Sequence, residues 1–231
     1  MVPERDVDPA VLYEDERLAL VSRLRSLGVE LLATTVPATP LWTVRDVLAH
    51  VVGLTADLNG QRFGDGDGDA WTLSQVASRR ERSVDDLAGE WDREAPVFEA
   101  GLRLFGYGFG AHYLGDLLQH VADVEAALGR SPVRHDVALA VALDFYLESF
   151  EGTLEQTGAG AVAVHVDDES WVLGSGDVVA SITAPRFELF RALGGRRTQP
   201  EIATLDWSGD ADRLVGLVSR YPMPTASLHE V

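Results

Sequence analysis

The hydrophobic period of this chain changes once, and that change limits the fold more than any other feature. Between about residues 11 and 156, apolar residues recur every three or four positions; after "TGAGA" (157–161) they fall into short, β-branched, partly alternating runs. Three- and four-residue spacing builds one apolar stripe on a helix, whereas alternation builds one apolar face on a strand. Helices gathered at one end and mixed elements at the other predict an α+β protein, with a helical bundle over 1–158 and a small α+β domain over 159–231.

Stop and start signals divide the helical part. A first amphipathic helix is expected over 11–33, broken by "TTVPATPLW" with its two prolines. A second begins at Thr43, with Asp46 three residues on in a variant of the capping box, and runs to about Gly60. Residues 71–82 read as helix, and Ser83 caps another that runs to about Phe105, with Asp85 and Asp86 at its positive end. "GYGFG" (106–110) reads as a hinge-like loop, followed by helices at about 110–129 and 136–156. Further on, "AVAVHV", "SWVLG" and "VVASITA" read as strands, "APRFELFRALGGR" as a helix, "IATLDWSG" as a strand and "DADRLVGLVSR" as a last helix. The aspartates of "FGDGDGDA" invite a calcium-loop reading, but the sixth and twelfth positions counted from Asp65 hold Ala70 and Val76 instead of Gly and Glu. A solvated turn is the better reading.

Composition excludes several classes of function. The 231 residues include no cysteine, which removes disulfides, thiolate nucleophiles of the chain's own and cysteine-type zinc sites. A formal charge of -18 without a basic stripe disfavours nucleic acid and anionic membrane surfaces as partners. No apolar run approaches the roughly 18 residues needed to span a bilayer, and the acidic start "MVPERDVDPAVLYEDER" does not read as a secretory signal. The expected compartment is the cytoplasm, and the expected state a monomer or homodimer.

One helix carries chemistry. In "GDLLQHVADVEAALG" (115–129), Asp116 and His120 are one turn apart, about 40° around the axis, on the side of Tyr113, Leu117 and Val124. His50 shares the face of Val47, Val51 and Leu54 on the second helix. A carboxylate turned toward an apolar interior must be paired or must bind a metal. Two imidazoles and one carboxylate form a frequent three-ligand set for zinc or a similar divalent ion, with a coordination position left open. The spacing equally fits a buried Asp116–His120 ion pair or two half-buried histidines. Asp123, one turn on, is a candidate to orient an imidazole or else a solvated helix residue. His112 is a candidate for the mouth of the site or a surface residue at the helix start. Arg196 and Arg197 are candidates to hold carboxylates of a substrate or thiol, or else to cap a helix C-terminus. Tyr107 and Phe109 either wall the pocket or simply pack. His135, His165 and His229 read as surface residues.

Three segments carry a resemblance. "TPLWTVRDVLAHVVG" (39–53), "GDLLQHVADVEAALGR" (115–130) and "VVASITAPRFELFRALGGRRT…IATLDWSGD" (178–210) resemble, in order, signatures of the mycothiol-dependent maleylpyruvate isomerase family, a branch of the DinB-like superfamily. The resemblance implies a DinB-like helical bundle with a small C-terminal α+β domain. It implies metal ligands at His50, Asp116 and His120, the isomerase itself having Glu where this chain has the shorter Asp116. It also implies a divalent metal, zinc by its donors, with mycothiol as cosubstrate. The expected activity is that of a transferase or isomerase in which a metal-activated thiolate attacks a small electrophile. The alternatives are a metal-dependent hydrolase that uses a bound water and a non-catalytic ligand-binding protein of the same fold.

Overall fold

The structure is a computed structural model that describes residues 2–64, 66, 68–131 and 136–230. Asp65, on which the calcium-loop count starts, and His135 lie outside the described residues. The chain forms two compact units: Met1–Val7, Leu114–Gln119 and Val133–His229 make up one, and Asp8–Tyr113, His120–Pro132 and Glu230–Val231 the other. The period change falls where a long helix ends at Thr157 and a strand starts at Ala161, and the unit that contains the four-stranded sheet also takes in that long helix.

The mainly helical unit is built on α1 (Pro9–Arg25), α3 (Val44–Asn59), α4 (Gly68–Ala77) and α5 (Val84–Phe105). The expected helix over 11–33 is interrupted. Ser26 caps α1, and a short α2 (Val29–Leu32) follows, because Gly28, a poor helix former, stands between the two apolar runs. The proline-containing break is itself structured, as a small antiparallel hairpin of β1 (Thr35–Val36) and β2 (Thr39–Thr43). Both expected N-caps are full capping boxes. The Thr43 hydroxyl accepts from Asp46 N–H while the Asp46 carboxylate accepts from Thr43 N–H, and Ser83 and Asp86 do the same for α5. Trp91 is fully buried in this core, and Tyr13 lies against Phe98 with ring centroids 5.2 Å apart.

The "GYGFG" segment is helical rather than a loop. α6 (Tyr107–Ala127) starts one residue after Gly106, whose φ of 89° breaks the chain from α5. A single glycine in the left-handed region suffices to separate two helices, leaving the next two glycines free to join the second. Phe109 and Tyr113 then pack with centroids 4.8 Å apart along α6.

The second unit holds α7 (Asp136–Thr157) and a sheet ordered β4-β3-β5-β6, with β3 (Ala161–Val166), β4 (Glu169–Leu173), β5 (Val178–Thr183) and β6 (Asp206–Gly209). β3 pairs antiparallel with β4 and parallel with β5, so the inward residues Val162, Val164 and Ile182 are buried. α8 (Arg186–Leu193) begins after Pro185 and ends at Gly194, as its flanking residues predict. Two expectations need correction. Ile202 and Ala203 belong to a short α9 (Gln199–Ala203), initiated by a Thr198–Glu201 capping box, so only the second half of "IATLDWSG" is strand. The segment "DADRLVGLVSR" forms two 3-10 turns, Ala211–Arg213 and Val215–Leu217, in place of a last α-helix. Gly216 lies inside that stretch and disfavours a continuous helix.

Candidate metal centre

His50, Asp116 and His120 converge. Each offers one donor atom, and these atoms all lie within 4.8 Å of one another. Asp116 and His120 are held together by α6 itself, a continuous helix, while α3 presents His50 to His120 with imidazole centroids 4.9 Å apart at 75°. Both histidines are buried, at 5% and 6% exposure, and Asp116 is half-buried. Two donors at the usual distance of about 2.1 Å from one ion are at most about 4.2 Å apart. The trio is therefore within a small side-chain adjustment of a common ion, and two imidazoles with one carboxylate suit zinc or a similar divalent cation.

The surroundings of His50 are ordered by residues that the sequence did not single out. Trp42, from β2, covers the imidazole with a centroid distance of 4.8 Å and lies 6.4 Å from that of His120. His50 Nδ1 is 2.9 Å from Gln75 Oε1, and the Gln75 amide in turn donates from Nε2 to Asp57 Oδ2 at 3.0 Å. The Trp71 indole N–H donates to the same Asp57 oxygen at 2.9 Å, and Arg62 pairs with the other at 3.0 Å. α4 reaches α3 closely enough for this because residue 53, one turn beyond His50, is glycine. A Cβ there would lie 2.6 Å from Gln75 Cβ. The only available sequence signal is the Gly at 53; the partner 25 residues away from His50 leaves none.

Asp123 is buried, with its Oδ2 3.5 Å from His120 Nδ1, longer than an ordinary hydrogen bond but close enough for electrostatic support. His112, one turn before Asp116, is half-buried and stacks on Tyr113 at 4.7 Å. Within the unit that contains Asp116, burial pushes the Tyr146 phenol far above its usual range, with Tyr221 and Asp116 adding to the shift and Arg196 and Gln119 opposing it. Burial also raises Tyr221, with Asp116 again contributing. Asp116 therefore has one buried phenol, that of Tyr146, and one partly exposed phenol, that of Tyr221, in its electrostatic neighbourhood. Arg196 donates to Gly194 O at 2.8 Å, at the end of α8, and also acts on both tyrosines. Arg197 forms a forked pair with Glu188 at 2.9 and 3.2 Å. Arg191, fully buried, donates to the backbone and side-chain oxygens of Gln119 and so braces the turn of α6 between Asp116 and His120.

No helix among the described residues is long and apolar enough to cross a membrane. No curated protein matches the chain. Among solved structures, it is similar to the crystal structure of a histidine-to-alanine mutant of the mycothiol-dependent maleylpyruvate isomerase, with a TM-score of 0.52, 12% identity, and coverage of 87% of this chain and 91% of that one. Residues 13–107 match the family described as "Mycothiol maleylpyruvate isomerase N-terminal domain", a span that includes His50, Gln75 and Trp42 and ends before Asp116. Residues 13–107 are thus similar to the mycothiol maleylpyruvate isomerase N-terminal domain, and the chain as a whole shares the fold of that isomerase.

Proposed function

We propose that this protein is a metal-dependent enzyme that uses mycothiol, as a transferase or isomerase, on a small electrophilic substrate. The observation that carries the reading is that donor atoms of His50, from α3, and of Asp116 and His120, from α6, lie within 4.8 Å of one another. The family match over 13–107 supports the choice of thiol. Zinc bound by these three residues would supply Lewis acidity at an open position and hold a thiol as its thiolate at neutral pH.

The chain's own residues do the rest. His50 and His120 would hold the ion through ring nitrogens, and Asp116 through a carboxylate whose single negative charge would offset part of the charge of a divalent cation. Trp42 shields the histidine pair from water and lowers the local dielectric, which strengthens the charge interactions at the site. Asp123 acts on His120 from behind. Arg196 is the candidate for a carboxylate of substrate or thiol, and His112 a candidate for the mouth of the site. Arg197 is a weaker candidate, because its fork already holds Glu188.

Elemental analysis of the purified protein, followed by a thiol panel, tests this reading. About one divalent ion per chain is expected, lost in the His50→Ala, His120→Ala double variant. Mycothiol at about 100 times its dissociation constant should stabilise the metal-loaded protein by about 2.7 kcal/mol, with release of a proton as the thiol binds. Full metal occupancy in the double variant refutes the ligand set. Metal without any thiol response refutes the thiol enzyme and favours metal-assisted hydrolysis.

A further inference from the structure

The hydrogen-bond chain behind His50 has a fixed polarity, and that polarity determines the state of the imidazole. An indole N–H only donates, so the oxygen of Asp57 that meets Trp71 Nε1 accepts. Arg62 Nε donates to the other oxygen, so both oxygens of that carboxylate act as acceptors. Gln75 must then present its NH2 group to Asp57, which turns its Oε1 toward His50. A carbonyl oxygen accepts only, so His50 Nδ1 carries a proton, and in the neutral ring the lone pair is then on Nε2.

From this we infer that Gln75 is a positioning residue, set by Asp57 and Trp71, that holds His50 as the Nδ1–H tautomer with Nε2 presented as the metal donor. The inference rests on the metal reading above. Free neutral imidazole prefers the opposite tautomer, so without Gln75 the ring would have to move its proton before binding. Burial makes the arrangement stringent. Gln75 is 1% exposed and His50 5%, which leaves little water to substitute for the amide. Gly53 is part of the same device, since any side chain at that position would push α4, and Gln75 with it, away from α3. Among metal sites, groups that orient a ligating histidine in this way are commonly worth 10- to 100-fold in affinity.

The test reads the tautomer separately from the metal. Nitrogen-15 NMR of histidine-labelled, metal-free protein should show His50 neutral with the proton on Nδ1. Gln75→Leu, similar in volume, should lose that signature and bind zinc about 10- to 100-fold more weakly in a chelator competition. Asp57→Ala leaves Gln75 in place but frees its amide to turn, and should reproduce part of the Gln75→Leu effect. A metal-free protein whose His50 carries its proton on Nε2 overturns the inference, as does unchanged tautomer and affinity in Gln75→Leu. Should the expected tautomer appear in the native protein and be lost in Gln75→Leu while neither binds zinc, the positioning role stands and the metal reading fails.

Discussion

Replacing Glu90 by Leu should be one of the most damaging single changes in the helical unit. Glu90 accepts Arg79 Nη2 at 2.6 Å and Arg79 Nε at 3.1 Å, and also takes a third donor from Arg82. The side chains of Arg79 and Glu90 are only 9% and 11% exposed. Without the carboxylate, the Arg79 guanidinium keeps two acceptors, Gln75 O and Ser78 Oγ, both reached from Nη1, and no countercharge from Glu90. Breaking a buried pair by removing one partner costs about 3 to 5 kcal/mol, and the partial exposure here points to the lower end, about 3 kcal/mol. With roughly 2.1 cal/mol/K of unfolding entropy per residue, a chain of 231 residues loses about 6 °C of melting temperature. The matching Arg79→Leu, Glu90→Leu double variant should recover much of the loss, because an apolar pair of similar volume carries no stranded charge. Urea unfolding of the four proteins of this cycle gives the coupling energy, expected at about 2 kcal/mol. A loss below about 1 kcal/mol for Glu90→Leu, or additive single effects, would refute the argument that the pair is held dry.

Three further outcomes are expected. Hydrogen bonds from Arg103 and from Ala10 N–H hold the Asp8 carboxyl below its ordinary 3.8, against the opposing pull of burial. Its contribution is therefore full above that value and lost as pH falls through the lower folded-state pKa. Asp8→Asn should cost about 0.5 to 1 kcal/mol at pH 7 and progressively less as pH falls below 3.8, and a loss that does not shrink with falling pH in urea titrations would contradict the assignment. Gly53→Ala should destabilise by about 1 to 2 kcal/mol despite the better helix former, because the new methyl meets Gln75 Cβ at 2.6 Å; increased stability in thermal melts would show that α4 yields freely. Duplex DNA should not bind measurably at physiological salt, given a charge of -18, and a sub-micromolar, salt-sensitive complex in a fluorescence anisotropy titration would reverse that expectation.

What the sequence determined by itself was local. Thr43 with Asp46 and Ser83 with Asp86 are three residues apart, and helix geometry alone makes each a capping box. Asp116 and His120 share a face for the same reason, so two of the three candidate metal ligands could be read from one stretch. The strands β3, β4 and β5 were legible because alternation needs no partner to be visible. Where competing local signals overlapped, the reading failed. Gly106 alone takes the left-handed turn, so "GYGFG" is helix, and the Thr198–Glu201 capping box draws Ile202 and Ala203 into α9.

Only the tertiary structure could decide what faces what across elements. The apolar face of α3 marks His50 as inward but does not say that Gln75, 25 residues on, will accept from it, or that Trp42 will cover it. Arg79 with Glu90 and Arg191 with Gln119 are likewise invisible in sequence, where each arginine reads as an ordinary charged helix residue. The physical reason is that a helix fixes its own angular positions at about 100° per residue, whereas the distance and crossing of two helices depend on every side chain between them. Here a single missing Cβ, at Gly53, sets how closely α4 approaches and so which atom stands behind the His50 imidazole.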